Sequence, residues 1–152
     1  MDDAQAHSEL TPRLVDSLYV EAMVLADEAR AYFDSSGRDD RLALDPRLRI
    51  GFACESLKVT TRLMQVVAWL MTQRAVAAGE LSRAHAGRAE RRLGEAPASD
   101  DELLPRLPDA ALLLIRSSQD LYERVRRLDE GGSPEARQSP ARSLLSRLQR
   151  SL

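Results

Sequence analysis

Apolar residues recur at three- and four-residue steps along most of the chain, and no stretch alternates with the two-residue period of a strand. The first such segment opens at Thr11-Pro12, a capping residue followed by proline at the first helical position. Leu14, Leu18, Ala22, Leu25, Ala29 and Tyr32 then form one stripe, and Ser35-Ser36-Gly37 stops it, which predicts a helix over 12–35. A polar loop through Leu44 follows. Asp45-Pro46 repeats the cap-then-proline signal and opens a second helix over 46–78. A third runs over 108–128, with Ala111, Leu114, Ile115, Ser118, Leu121, Val125 and Leu128 as its buried face.

The second helix carries more apolar surface than one core requires. Winding it at about 100° per residue puts Leu48, Phe52, Val59, Leu63, Val66, Leu70 and Ala77 on one face. A second stripe runs beside it through Ile50, Leu57, Met64, Ala68, Met71 and Ala75. Together they cover about 200° of the helix, wider than the stripe a surface helix buries. Either the second stripe is a dimer interface, or it packs under the short arginine-rich segment Ser82–Leu93.

Around these helices the chain reads as punctuation. Gly79-Glu80-Leu81-Ser82 is a turn and a fresh cap, and the arginine-rich piece after it ends at Gly94. Ala96-Pro97-Ala98 is a linker, Ser99 and Glu102 have capping-box spacing, and Pro105 and Pro108 delay the third helix. Beyond Asp129, Gly131-Gly132-Ser133-Pro134 and Ser139-Pro140 are linker chemistry. The expected fold is therefore all-α: an antiparallel three-helix bundle over 11–129, homodimeric, with a short extra helical segment. A disordered N-terminus, 1–10, precedes it and a flexible basic tail, 130–152, follows it.

Composition narrows the function. A chain of 152 residues makes one domain, and with aromatics at 4% its core must be aliphatic. The net charge of -2 argues against nucleic-acid binding, which needs a basic excess to neutralise phosphates. The single cysteine, Cys54, excludes an internal disulfide, fits a reducing cytoplasm and is expected as a buried, inert thiol. Met1 to Glu9 has no secretory-signal layout, and the apolar run Val66 to Met71 is far below the roughly 20 residues of a membrane span. A cytoplasmic protein is expected.

No catalytic, cofactor-binding or metal-binding constellation can be assembled. His7 and His85 have no partner at ligand spacing, and there is no phosphate loop, dinucleotide fingerprint, Cys-x-x-Cys or nucleophile elbow. What remains is binding. Trp69 falls near Lys58, Arg62 and Gln65 on the polar side of the second helix, where it is either a partner hot spot or lies on a neighbouring loop with Arg62 against its ring. The end of the chain, with Leu144, Leu145, Leu148 and Leu152 among Arg142, Arg147 and Arg150, either docks as an amphipathic segment or is simply solvated. The cluster Arg83, Arg88, Arg91 and Arg92 reads as a solvated helix face without aromatics for stacking.

Three passages resemble a known family. Val15-Asp16-Ser17-Leu18-Tyr19, the run Arg49-Ile50-Gly51-Phe52-Ala53-Cys54-Glu55-Ser56-Leu57-Lys58-Val59-Thr60-Thr61-Arg62-Leu63 with Val67-Ala68-Trp69-Leu70-Met71 and Gly79-Glu80-Leu81, and the late Ser118-x-x-Leu121-Tyr122-x-Arg124-Val125-x-Arg127-Leu128-Asp129 are similar to RcdA, the alphaproteobacterial regulator of CtrA degradation family. The resemblance covers about residues 11 to 129 and leaves the tail outside. It implies a homodimeric three-helix bundle acting as a non-enzymatic adaptor. Such an adaptor works with the ClpXP protease, a priming response regulator and further adaptors, delivers clients such as CtrA, and is associated with the cell pole. The alternative is a polar localisation or scaffold protein with no direct role in proteolysis.

Overall fold

The computed structural model describes residues 2–131 together with 148, 149 and 151, with side chains described from residue 12 onward. Among them every regular element is helical: α1 (Asp2–Asp34), α2 (Ser36–Leu42), α3 (Pro46–Ala77), α4 (Arg83–Ala86) and α5 (Asp109–Gly131). Two single 3-10 turns, Ala89–Arg91 and Leu104–Arg106, interrupt the connection between α4 and α5.

The first helix starts well before the expected Thr11-Pro12 signal. Helix reaches back to Asp2, with Pro12 inside it. A proline inside a helix removes one N–H and crowds the carbonyl four residues earlier, whereas at the first turn it costs nothing. Sequence alone does not distinguish the two, and Ala4, Gln5, Ala6 and Glu9 are good helix formers. The polar loop after α1 is also helical. Ser35 caps α2 by accepting from the Ser36 N–H at 2.6 Å, and the Tyr32 hydroxyl donates to Asp40 at 2.6 Å. Gly37 makes this fold-back possible, since a Cβ there would sit 2.7 Å from the Tyr32 carbonyl oxygen.

α3 begins as expected, with the Asp45 carboxylate accepting from the Arg47 and Leu48 N–H groups, both at 3.0 Å. Three long helices share one aliphatic core. Val15, Leu18, Ala22, Leu25 and Ala29 enter from α1; Phe52, Val59, Leu63, Val66 and Leu70 from α3; Ala111, Leu114, Ile115, Leu121 and Val125 from α5. Leu14, expected in the first stripe, is exposed and Val15 takes its place. At the ends of the other two stripes Leu48 and Leu128 are half-buried and Ala77 is exposed.

The direction of the last helix corrects the antiparallel expectation. Phe33 of α1 stacks edge-on against Phe52 at 5.6 Å, and at the far end Arg74 lies over the Tyr19 ring at 4.6 Å, so α1 and α3 are antiparallel. α5 instead runs parallel to α3. Arg62 meets Ser118, while Trp69, two turns further along, meets Asp129. The reason is the long connection. The 32 residues of α3 rise about 48 Å, which roughly 15 extended residues can retrace, and the chain over 78–108 does retrace it. A polar, proline-containing linker looks the same in sequence whether it turns a corner or runs the length of a helix.

Candidate functional site

α3 carries every candidate binding residue except those at the end of the chain, and its surface divides into three faces. One is the core stripe already described. The second is the polar stripe Glu55, Lys58, Arg62, Gln65 and Trp69, recurring at three- and four-residue steps. These side chains hold the returning strand of chain, 92–103, as a strap. The Glu55 carboxylate accepts from the Ser99 hydroxyl at 2.5 Å, the Asp100 N–H at 3.0 Å and the Lys58 ammonium at 3.0 Å. Arg62 donates to the Ser118 hydroxyl at 3.2 Å, the Pro97 carbonyl at 3.1 Å and the Ser99 hydroxyl at 2.7 Å. Gln65 accepts from the Gly94 N–H, whose carbonyl in turn accepts from Tyr122.

The charges in this stripe are buried but compensated. Burial alone would push the Glu55 carboxyl up, yet the hydrogen bonds from Ser99, Asp100 and Lys58 outweigh it and hold it below the usual carboxylate range. Burial lowers Arg62 from its usual value, against the opposing pull of Glu55 and Tyr122, and it remains a cation. At the far end Trp69 donates to Asp129 at 2.9 Å, and the same carboxylate oxygen accepts from Arg92 at 2.8 Å. At the near end the strap presses Leu103 against Gly51, where a Cβ would lie 2.5 Å from a Leu103 methyl.

Of the two readings of Trp69, the buried one against neighbouring chain fits the structure, and Arg62 is buried with it. They are 7% and 3% exposed, and their side of α3 is covered by the subunit's own strap. Arg62 reaches across to the strap and α5, and the described cation–π pair is Arg74 over Tyr19. Ser99 makes no helix cap either, because its hydroxyl is committed to Glu55 and Arg62. The buried cluster of Glu55 and Arg62, joined through the Ser99 hydroxyl, was missed. Its signal was two opposite charges seven residues apart on one face, opposite a linker rich in small polar residues.

The third face is the second apolar stripe, and its four large side chains stand uncovered among the described residues. Ile50, Leu57 and Met64 are 68%, 67% and 67% exposed and Met71 is 57%. Ala68 is exposed and Ala75 half-buried. The arginine-rich segment does not lie over Ile50, Leu57, Met64 or Met71. It meets the edge of α3, where Glu90, Arg91 and Arg92 form a shallow notch of about 380 Å³ with Gln65, Ala68, Trp69 and Thr72. Cys54, expected buried, is exposed beside the same apolar face. Arg83, Arg88 and Arg91 are solvated as expected, while Arg92 is tied to Asp129. Leu144 and Leu145 lie outside the described residues, and Leu148 is exposed. No cluster of His, Cys, Asp and Glu among the described residues could hold a metal, and no described helix is long and apolar enough to cross a membrane.

The described residues thus form a helical scaffold with one open apolar face. The chain belongs to the family described as "Protein of unknown function (DUF1465)", which matches residues 6–152. Its fold matches the crystal structure of RcdA from Caulobacter crescentus CB15 with a TM-score of 0.65 and 40% sequence identity, covering 79% of this chain and 91% of that one. No curated protein sequence matches it significantly.

Proposed function

We propose that the protein acts by contact alone, as a homodimeric adaptor that helps deliver cell-cycle regulatory proteins of the CtrA kind to the ClpXP protease. The observation that carries the reading is the open face of α3, where four large apolar side chains stand in a row, each more than half exposed. Contiguous exposed apolar surface marks an interaction site on a soluble protein. The fold likeness to RcdA supports this reading, and the proposed pathway has a priming response regulator that readies the protease, clients such as CtrA, and a cell-pole association. In this reading the α3 face is the dimer seam and the end of the chain, with Leu144, Leu145 and Leu148, is a tethered second contact that raises local concentration.

The test is a degradation assay with purified ClpXP, the priming response regulator and a CtrA-type client, with and without this protein. Faster client loss is expected. An unchanged rate over a range of adaptor concentrations sinks the proposal and leaves the polar scaffold as the better reading. Recovery of protease or response regulator on affinity purification from the native cytoplasm separates the two, since a scaffold without a proteolytic role predicts neither. For the seam, Met64→Glu or Met71→Glu should give a folded monomer by sedimentation, because burying an unpaired charge is strongly unfavourable. A dimer that survives both substitutions puts the seam elsewhere.

A further inference from the structure

The open face of α3 has a finer pattern than an apolar stripe. Ile50, Leu57, Met64 and Met71 recur every seven residues, and Cys54, Thr61, Ala68 and Ala75 recur every seven residues between them. Read in order, the eight positions step by four and three in turn, which is the seam spacing of a coiled coil. One row is large and the other is small. None of the eight is charged. The flanking cations are already engaged, Lys58 with Glu55 and Arg74 with Asp16. The Thr61 hydroxyl donates to the Leu57 carbonyl at 3.0 Å, and the neighbouring Thr60 and Thr72 hydroxyls bond to their own helix likewise. Covering this face strands no hydroxyl of these threonines.

We propose that α3 packs against α3 of a second copy in an antiparallel coiled-coil seam, with Ile50 over the partner's Ala75, Cys54 over its Met71, Leu57 over its Ala68 and Thr61 over its Met64. This rests on the dimer reading above and fixes its orientation and register. The argument is volume. In a parallel pair each layer would join like with like: Ala68 with Ala68 and Ala75 with Ala75 would leave gaps, while Leu57 with Leu57 and Met64 with Met64 would crowd. Running the partner the other way puts one large and one small residue in every layer, so the helices approach evenly along the whole seam. Only one register uses all eight positions. It places the two-fold axis between Thr61 and Met64, and each layer then recurs by symmetry, as an isologous contact demands.

The size of the seam sets how the pair behaves. From Ile50 to Ala75 the helix rises about 37 Å, and a strip about 10 Å wide buries roughly 800 Å² over both copies. That is below the roughly 1,200 Å² of a standard stable interface, so the pair dissociates on dilution and is followed over a concentration series.

Cys54 is a built-in reporter of orientation. In the antiparallel register the two Cys54 thiols lie about 25 Å apart along the seam, whereas in a parallel pair they share a layer. The experiment is a short bismaleimide cross-linker applied to the full chain, with sedimentation velocity over the same concentrations. The wild type should dimerise without cross-linking. Met71→Cys, which sets a second thiol opposite the partner's Cys54, should cross-link efficiently, and so should Thr61→Cys with Cys54→Ser, whose thiols meet at the two-fold axis. A wild-type dimer that cross-links through Cys54 overturns the antiparallel orientation and leaves the dimer standing. A wild-type dimer in which neither engineered protein cross-links overturns the seam. A chain that sediments as a monomer throughout overturns both this inference and the dimer reading.

Discussion

Replacing Arg62 with alanine should release the strap and cost far more stability than an arginine-to-alanine change at a surface. The guanidinium is 3% exposed and donates to the strap at Pro97 and Ser99 and to α5 at Ser118. Removing it takes away three bonds, leaves the Pro97 carbonyl without this donor, and leaves the Glu55 carboxylate buried with less positive charge nearby. Breaking a buried charge network by deleting one member costs about 3–5 kcal/mol, against 0–1 kcal/mol for an exposed pair. For a domain of this size each kcal/mol lowers the melting temperature by roughly 2–4 °C, so Arg62→Ala should melt on the order of 10 °C lower. Urea denaturation measures the loss directly as a shift in midpoint. Tryptic cleavage at Arg92, the half-buried arginine at the start of the strap, should also accelerate below the global transition, because the strap opens locally before the core does. A midpoint loss under about 1 kcal/mol, or cleavage that tracks global unfolding alone, would refute the view that this cluster holds the strap.

Other outcomes follow from the same contacts. Glu55 sits below its unfolded value, so the folded chain binds fewer protons there; its contribution is full above the unfolded pKa of about 4.3 and is lost as pH falls through the lower folded value. Stability measured from pH 6 down to pH 3 should therefore fall less steeply in Glu55→Gln than in the wild type, and parallel curves would contradict this. Asp129→Asn removes the charge that joins Trp69 to Arg92 and should cost about 1–2 kcal/mol while shifting the emission of the single tryptophan; unchanged emission would mean the indole contact is dispensable. Gly37→Ala drives a Cβ to 2.7 Å from the Tyr32 carbonyl oxygen, a backbone atom that cannot swing aside, and should cost about 1–3 kcal/mol by thermal melting, whereas a neutral result would show that α2 moves freely.

The helices were legible because each signals itself locally. Asp45-Pro46 opens α3 by a side-chain cap that depends on adjacent residues alone, and the α5 stripe from Ala111 to Val125 is buried as its spacing requires. What local pattern does not encode is where the intervening chain goes. Glu55, Arg62, Gln65 and Trp69 form a polar stripe, and polarity at that spacing ordinarily means solvent. Here Glu55 and Arg62 are satisfied in part by backbone groups of a linker more than thirty residues away, the Asp100 N–H and the Pro97 carbonyl. Backbone donors and acceptors are present at nearly every residue, so they leave no mark in composition. Pro12 misled for a related reason, since its identity reports a missing N–H but not whether a helix continues beneath it.

The strap also explains why the apolar face of α3 stands open. A long helix packed by α1 on one flank and α5 on another has room for one further layer, and the sequence could have laid 92–103 over the methionines. It lies over Glu55, Arg62 and Gln65 instead, because an extended chain with no partner strand has backbone groups to satisfy and only the polar stripe can satisfy them. Methionine, leucine and isoleucine side chains offer no donor or acceptor that could do so. The apolar face is thus left for an occupant whose own backbone is already hydrogen-bonded, which is to say another helix. A helix from a second copy and a helix from a client both meet that condition, and an extended peptide does not.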